Sequence, residues 1–193
     1  MAANVQIAPN EEQLRFNKIA NELHASGSDR STAILGGTLM ESLLRELILH
    51  AAVPDPKKEF ERYINGAGVS ALQVQAFVMG LIPRVLLQEL RLISDIRNRF
   101  AHGLEPLSFD KPPVSGFVEN LVAPRRFSPL SGAPVTLPGQ APVKTLRDLP
   151  KRLQFIASVA AASATLEHLR LEVPKFKEST RFYVDPKTGG APN

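Results

Sequence analysis

The sequence predicts an all-α fold, namely a helical bundle of about five main helices with a long Pro-rich loop before the last helix. Three observations support this prediction. Apolar residues recur at three- and four-residue intervals through most of residues 11–103 and again through residues 150–172. Serine, proline and glycine residues that favour helix ends stand at the boundaries of these segments. Eight of the 16 prolines fall within residues 104–149, where the helical periodicity stops.

The first two predicted helices cover residues 11–25 and about 29–52. The intervening stretch SGSD at 26–29 offers side-chain oxygens that cap the start of a helix. The second segment is apolar around nearly its whole circumference, which is typical of the central helix of a bundle. Its polar exceptions are Glu41, Arg45 and Glu46.

Three further helices are expected over residues 69–80, 83–102 and 150–172. Pro83 opens the second of these and Gly103 follows its end, an arrangement that helix termini favour. Within the Pro-rich loop we expect short strands at two places, around VSGFVENLV and APVTL.

The chain of 193 residues has the length of one domain. We expect a flexible N-terminus at 1–10, a single helical domain at 11–172 with the 104–149 loop as an insertion, and a basic tail at 173–193. Residues 1–124 carry 12 Lys and Arg against 14 Asp and Glu, whereas the remainder carries 11 against 5. Such a basic segment either attracts nucleic acid or an acidic protein, or is a solvated face and tail.

Composition excludes several classes of function. The chain has no cysteine, which rules out disulfide scaffolds, thiol catalysis and thiolate-held metal sites. Its four histidines are scattered, so we expect no metal site and no cofactor. There is no apolar run of the ~20 residues that span a bilayer, and no signal peptide at the start. We therefore expect a cytoplasmic protein without a membrane contact.

The helix predicted at 83–102 carries an arginine within its apolar seam. The seam runs through Leu86, Leu90, Ile93, Arg97 and Phe100. A guanidinium in such a position needs a partner, because burying it alone is costly. We therefore expect a buried ion pair between Arg97 and an acid of the second helix, either Glu41 or Glu46.

Asn98 and His102 lie one helical turn apart, next to Arg97. Together they place a guanidinium that can bind phosphate, an amide and a titratable imidazole within about two turns of one helix. This pattern suits metal-independent RNA cleavage, with His102 as general acid or base and Arg97 holding the phosphate. The alternative, which the residue types alone favour, is a histidine that interacts with the exposed carbonyls of a helix end.

Two segments, residues 17–48 and 79–103, together resemble the mannitol operon repressor family, known as MltR or MtlR. The matching features are Ser28-Asp29-Arg30 before a leucine-rich helix, the Gly80-Leu81-Ile82 turn, and Ile96-Arg97-Asn98-Arg99-Phe100-Ala101-His102. The resemblance covers about half of the chain. The string from Arg97 to His102 is also the signature of the wider HEPN helical domains, which include ribonucleases and non-catalytic binding modules.

The resemblance implies an all-helical bacterial regulator of transcription that is not an enzyme and acts through protein–protein contacts. Its partner would be an unidentified protein, and a homodimer stays open. Family-motif residues are Asp29, Arg30, Glu41, Arg97, Asn98, Phe100 and His102. In the HEPN alternative, an RNA-binding module or ribonuclease, Arg97, Asn98 and His102 would be catalytic and would line an accessible cleft across a dimer.

Direct DNA binding is a further alternative. Ala76, Gly80, Ile82 and Val85 stand at offsets that resemble a helix-turn-helix. Three polar residues would then reach a DNA groove, namely Arg84, Gln88 and Arg91. The expected length of the second helix and its apolar seam favour a plain helical hairpin instead.

Overall fold

The computed structural model describes residues 11–52, 58–103, 105–123 and 145–173. Within them it contains seven α-helices and no β-strand. The helices are α1 Glu11–Ala25, α2 Asp29–Ala51, α3 Lys58–Gly66, α4 Val69–Val78, α5 Arg84–His102, α6 Val114–Asn120 and α7 Lys151–Glu172, with a 3₁₀ turn at Leu146–Asp148. The predicted all-α fold is confirmed, and α1, α2, α4, α5 and α7 are the five main helices that the periodicity indicated.

Helix α2 is the centre of the bundle. It packs most extensively against α7 and α5, and it also contacts α1, α3 and α4. Leucine, isoleucine, methionine and alanine side chains are buried along its full length, so apolar residues cover more than one of its faces. The cap at its start is Ser28, whose side chain accepts a hydrogen bond from the backbone amide of Ser31 at 3.1 Å.

Two adjacent glycines set how closely α2 approaches its two main neighbours. A β-carbon on Gly36 would lie 3.0 Å from Cγ2 of Val159 in α7, and one on Gly37 would lie 2.4 Å from Cγ of Arg97 in α5. Real β-carbons do not approach other carbons to 2.4 Å, so α5 can sit this close to α2 only because Gly37 lacks one.

Two helices were not predicted. Helix α3 follows Pro54 and Pro56, the two prolines that come after the second helix in the sequence and predict its end. Helix α6 forms where a short strand was expected around VSGFVENLV, so that prediction is wrong. Val114 and Val118 are both buried. Because they are four residues apart, a helix places both side chains on the face that packs against the core.

Several predictions lie outside the described residues. These are the flexible N-terminus at 1–10, the part of the Pro-rich loop at 124–144 with the APVTL strand, and the tail at 174–193. Across the helices that the structure describes, none has the length and apolar composition to cross a membrane.

A row of three buried phenylalanines joins the segment after α5 to the bundle. The ring centroid of Phe109 lies 4.9 Å from that of Phe100 in α5 and 5.0 Å from that of Phe155 in α7. Offset aromatic contacts at these distances stabilise a fold beyond the area that they bury. The row anchors the segment 105–113 beside the end of α5.

Candidate functional site

The Ser28-Asp29-Arg30 motif, which is the N-cap and first two residues of α2, is a structural junction. The Asp29 carboxylate accepts a hydrogen bond from the backbone amide of Phe109 at 3.1 Å, and its other oxygen lies 3.9 Å from Arg152 of α7. Arg30 donates to the carbonyl of Gly103, directly after α5. Arg152 also donates to two backbone carbonyls at the end of α1 and in the α1–α2 turn. This motif therefore fixes the end of α5 and the segment that follows it.

A groove of about 830 Å³ opens beside the last turns of α5. We call it the α5 groove. It is lined by Asp95, Asn98, Arg99, His102, Gly103, Glu105, Leu107, Pro113 and Phe117. The guanidinium of Arg99 lies 4.6 Å from the ring centroid of Phe117, a cation–π distance. Asn98 and His102, which the sequence singled out, thus share one surface, whereas Arg97 is not among the residues that line it.

The expected ion pair between Arg97 and an acid of α2 is not formed. The Glu41 carboxylate instead binds Arg45 on its own helix at 3.0 Å, and Glu46 is exposed. Arg97 is half-buried, and among the described residues no carboxylate pairs with its guanidinium, whose Nη1 donates to Oδ1 of Asn98 at 2.9 Å.

The physical reason lies in the neighbouring glycine. Gly37 leaves room for the β- and γ-carbons of Arg97 to pack directly on α2. A long arginine stem can cover apolar surface while its charged end stays near solvent. The guanidinium therefore donates to Asn98 and is not placed against a buried acid.

The chemistry of the α5 groove combines both signs of charge with an apolar wall. Arg99 contributes a guanidinium and His102 an imidazole. Asp95 and Glu105 contribute carboxylates. His102 is exposed in the last turn of α5. The apolar wall is formed by Leu107, Pro113 and Phe117. Sequence reasoning missed this wall, because it comes from the Pro-rich segment and from the unpredicted helix α6.

Phe100, the aromatic member of the predicted motif, is fully buried in the core. It has a packing role, as do Asp29 and Arg30 through their hydrogen bonds. Of the seven family-motif residues, only Asn98 and His102 line the α5 groove, beside Arg99 of the same string.

The three residues considered for DNA contact, Arg84, Gln88 and Arg91, are all exposed on α5. The Arg84 guanidinium lies 5.6 Å from the ring centroid of Phe77 in α4. Helix α5 is 19 residues long and buries apolar side chains from its first turn to its last. The α4–α5 unit therefore has the form of a core helical hairpin.

Among the described residues, no group of three His, Asp or Glu side chains is arranged to hold a metal ion. Comparison with known proteins finds no family model, no curated protein and no solved structure that matches this chain.

Proposed function

We propose that this protein is a non-enzymatic regulator of transcription, of the mannitol operon repressor type, that binds another protein through the α5 groove in the cytoplasm. The regulatory role rests on the resemblance to that family, which is carried by the Ser28-Asp29-Arg30 motif and by the segment from Ile96 to His102. The mode of action rests on the composition of the groove.

The observation that carries the proposal is the balance of charge around an apolar wall. A groove made for RNA or DNA needs an excess of cations, because each bound phosphate brings a negative charge. Here Asp95 and Glu105 stand beside Arg99 and His102. A protein segment can match both signs of charge and also place an apolar side chain against Phe117.

The arrangement gives less support to catalysis. A histidine that cleaves RNA needs a cation positioned on the same phosphate. Arg97 donates to Asn98 and does not line the groove that His102 lines. The arginine that lines the groove with His102 is Arg99, and its guanidinium lies over the Phe117 ring.

Transcript measurements test the proposal. Deleting the gene in the source organism should change the transcript levels of a small set of genes, and the wild-type gene should restore them. Phe117→Ala should fail to restore them, because it removes the aromatic side chain from the apolar wall of the groove. The matched control is Tyr63→Ala, which removes an exposed aromatic ring from α3 and should restore them fully. Unchanged transcripts in the deletion strain would contradict the regulatory role.

RNA cleavage is a second candidate, and one observation favours it. Among the described residues no carboxylate pairs with Arg97, and its guanidinium donates to Asn98, a residue that lines the groove together with His102. A direct assay on purified protein separates this candidate from the regulator, and its expected result is given in the Discussion.

A further inference from the structure

The exposed face of α5 extends well beyond the groove. A line of six exposed side chains follows one side of the helix at intervals of three and four residues, from its first turn to its last. We call it the α5 stripe, and its members are Arg84, Gln88, Arg91, Asp95, Arg99 and His102. The stripe contains three arginines and a histidine but only one aspartate, so this face is predominantly basic.

The two outer arginines of the stripe are held in place by aromatic rings. The guanidinium of Arg84 lies 5.6 Å from the ring centroid of Phe77, and that of Arg99 lies 4.6 Å from the ring centroid of Phe117. Contact with a ring limits the positions of a flexible arginine before any partner arrives, which lowers the entropy lost on binding. At 1.5 Å per residue, the two sites are about 22 Å apart along the helix.

The spacing of the charges matches the repeat of a second helix. Arg91 follows Arg84 by seven residues, and Arg99 follows Arg91 by eight. A helix that lies alongside another presents the same face about every seven residues, so carboxylates at that interval would meet all three arginines. Asp95 lies between Arg91 and Arg99 on the stripe, so a partner helix would need a cationic side chain at the position that faces it.

We propose that the α5 stripe binds an α-helix of the partner protein that carries carboxylates opposite Arg84, Arg91 and Arg99 and a lysine or arginine opposite Asp95. This inference rests on the proposed function, since it specifies the chemistry of the protein that the groove receives. The pattern favours such a helix over nucleic acid, because a cation on the helix can pair with Asp95, whereas a continuous row of phosphates would be repelled by Asp95 and by Glu105 at the groove.

A designed peptide tests the inference on the full chain. The probe is a fluorescein-labelled, Ala-rich helical peptide with glutamates spaced to face the three arginines and a lysine spaced to face Asp95. In the control peptide, lysines replace the glutamates and a glutamate replaces the lysine. Fluorescence anisotropy should show saturable binding of the first peptide that weakens with added salt, and no binding of the second. Equal binding of both peptides would overturn the inference.

Charge reversal on the protein sharpens the test. Arg91→Glu removes one attraction and adds one repulsion at an exposed position, so it should weaken binding of the probe by roughly tenfold. Asp95→Lys should weaken it as well, and a probe with glutamate in place of its lysine should restore the affinity. The matched control is Arg62→Glu, an exposed arginine on α3, which should leave the affinity unchanged. Circular dichroism checks that each variant is folded.

Two further outcomes separate this inference from the proposed function. If single-stranded RNA or duplex DNA binds in an Arg91-dependent manner while the probe does not, the stripe is a nucleic-acid surface and the inference is wrong. If the probe does not bind but deletion of the gene still changes transcripts in a Phe117-dependent manner, the helix proposal fails and the regulatory function stands.

Discussion

The buried carboxylate of Glu89 in α5 accepts a hydrogen bond from the backbone amide of Val122, in the segment that follows α6. Its second oxygen accepts from the amide of Ala123 at 3.1 Å. Only 4% of Glu89 is exposed, so water has little access to these groups. One charged side chain thus satisfies two backbone donors and ties the end of α6 to α5.

Removing this carboxylate should destabilise the fold strongly. Glu89→Ala leaves two backbone amides without their acceptor, and we expect it to lower the free energy of unfolding by about 2–4 kcal/mol. Glu89→Gln keeps one acceptor oxygen and should cost less. Urea unfolding followed by circular dichroism measures both variants. Glu61→Ala, at an exposed position on α3, is the control and should change stability by less than about 0.5 kcal/mol.

The contact between Gly37 and Arg97 gives a second prediction. In Gly37→Ala the new methyl group would overlap the β- and γ-carbons of Arg97, which cannot both move aside without shifting α5. We expect a loss of about 1–3 kcal/mol in the free energy of unfolding. The control is Gly116→Ala in α6, where an added β-carbon meets no atom within 4 Å. This variant should be neutral or slightly more stable, because alanine favours a helix more than glycine does. Equal stability of the two variants would contradict the close helix crossing.

Arg97 itself should matter through its stem more than through its charge. Arg97→Ala removes the aliphatic carbons packed on Gly37, and we expect a loss of about 1–2 kcal/mol. Arg97→Met keeps most of those carbons and should lie close to wild type. Thermal unfolding of both variants provides the measurement. A loss above about 3 kcal/mol in both would instead indicate that the charge has a buried acidic partner.

We expect no cleavage of single-stranded RNA or transfer RNA by the purified protein in the presence of EDTA. The reason is that Arg97 does not line the groove that His102 lines and its guanidinium donates to Asn98, so the cation that the motif was expected to supply is engaged elsewhere. Gel analysis of labelled RNA after long incubation provides the check. Cleavage that persists through purification and disappears in folded His102→Ala would establish the ribonuclease function instead.

Periodicity and end signals were sufficient for the long helices. Pro83 precedes α5 and Gly103 follows it, as expected, and Ser28 caps α2. The short helices α3 and α6 were not predicted, because segments this short carry little helical periodicity. Helix α6 has seven residues, the third of which is Gly116, and its valines are equally typical of a strand. Only packing against α5 and α7 decides between the two structures.

The candidate site was predictable only in part. The four-residue spacing of Asn98 and His102 indicated correctly that they share a face of α5. The partner of Arg97 could not be deduced, because the room for its stem comes from Gly37, a residue 60 positions earlier on another helix. The apolar wall of the groove depends on Phe117, whose ring meets Arg99 through a fold that no local pattern encodes.

The central position of α2 has a consequence for how the chain is made. Its most extensive neighbour, α7, begins at Lys151, 100 residues after α2 ends at Ala51. At a synthesis rate of about 5–20 residues per second, the apolar side of α2 emerges from the ribosome about 5–20 s before the helix that covers it. The Asp29 carboxylate precedes its partner Arg152 by 123 residues, so at the same rate it emerges about 6–25 s earlier. The side of α2 that packs against α7 is therefore translated early and covered late, so on the nascent chain it stays exposed to solvent until the last helix is released.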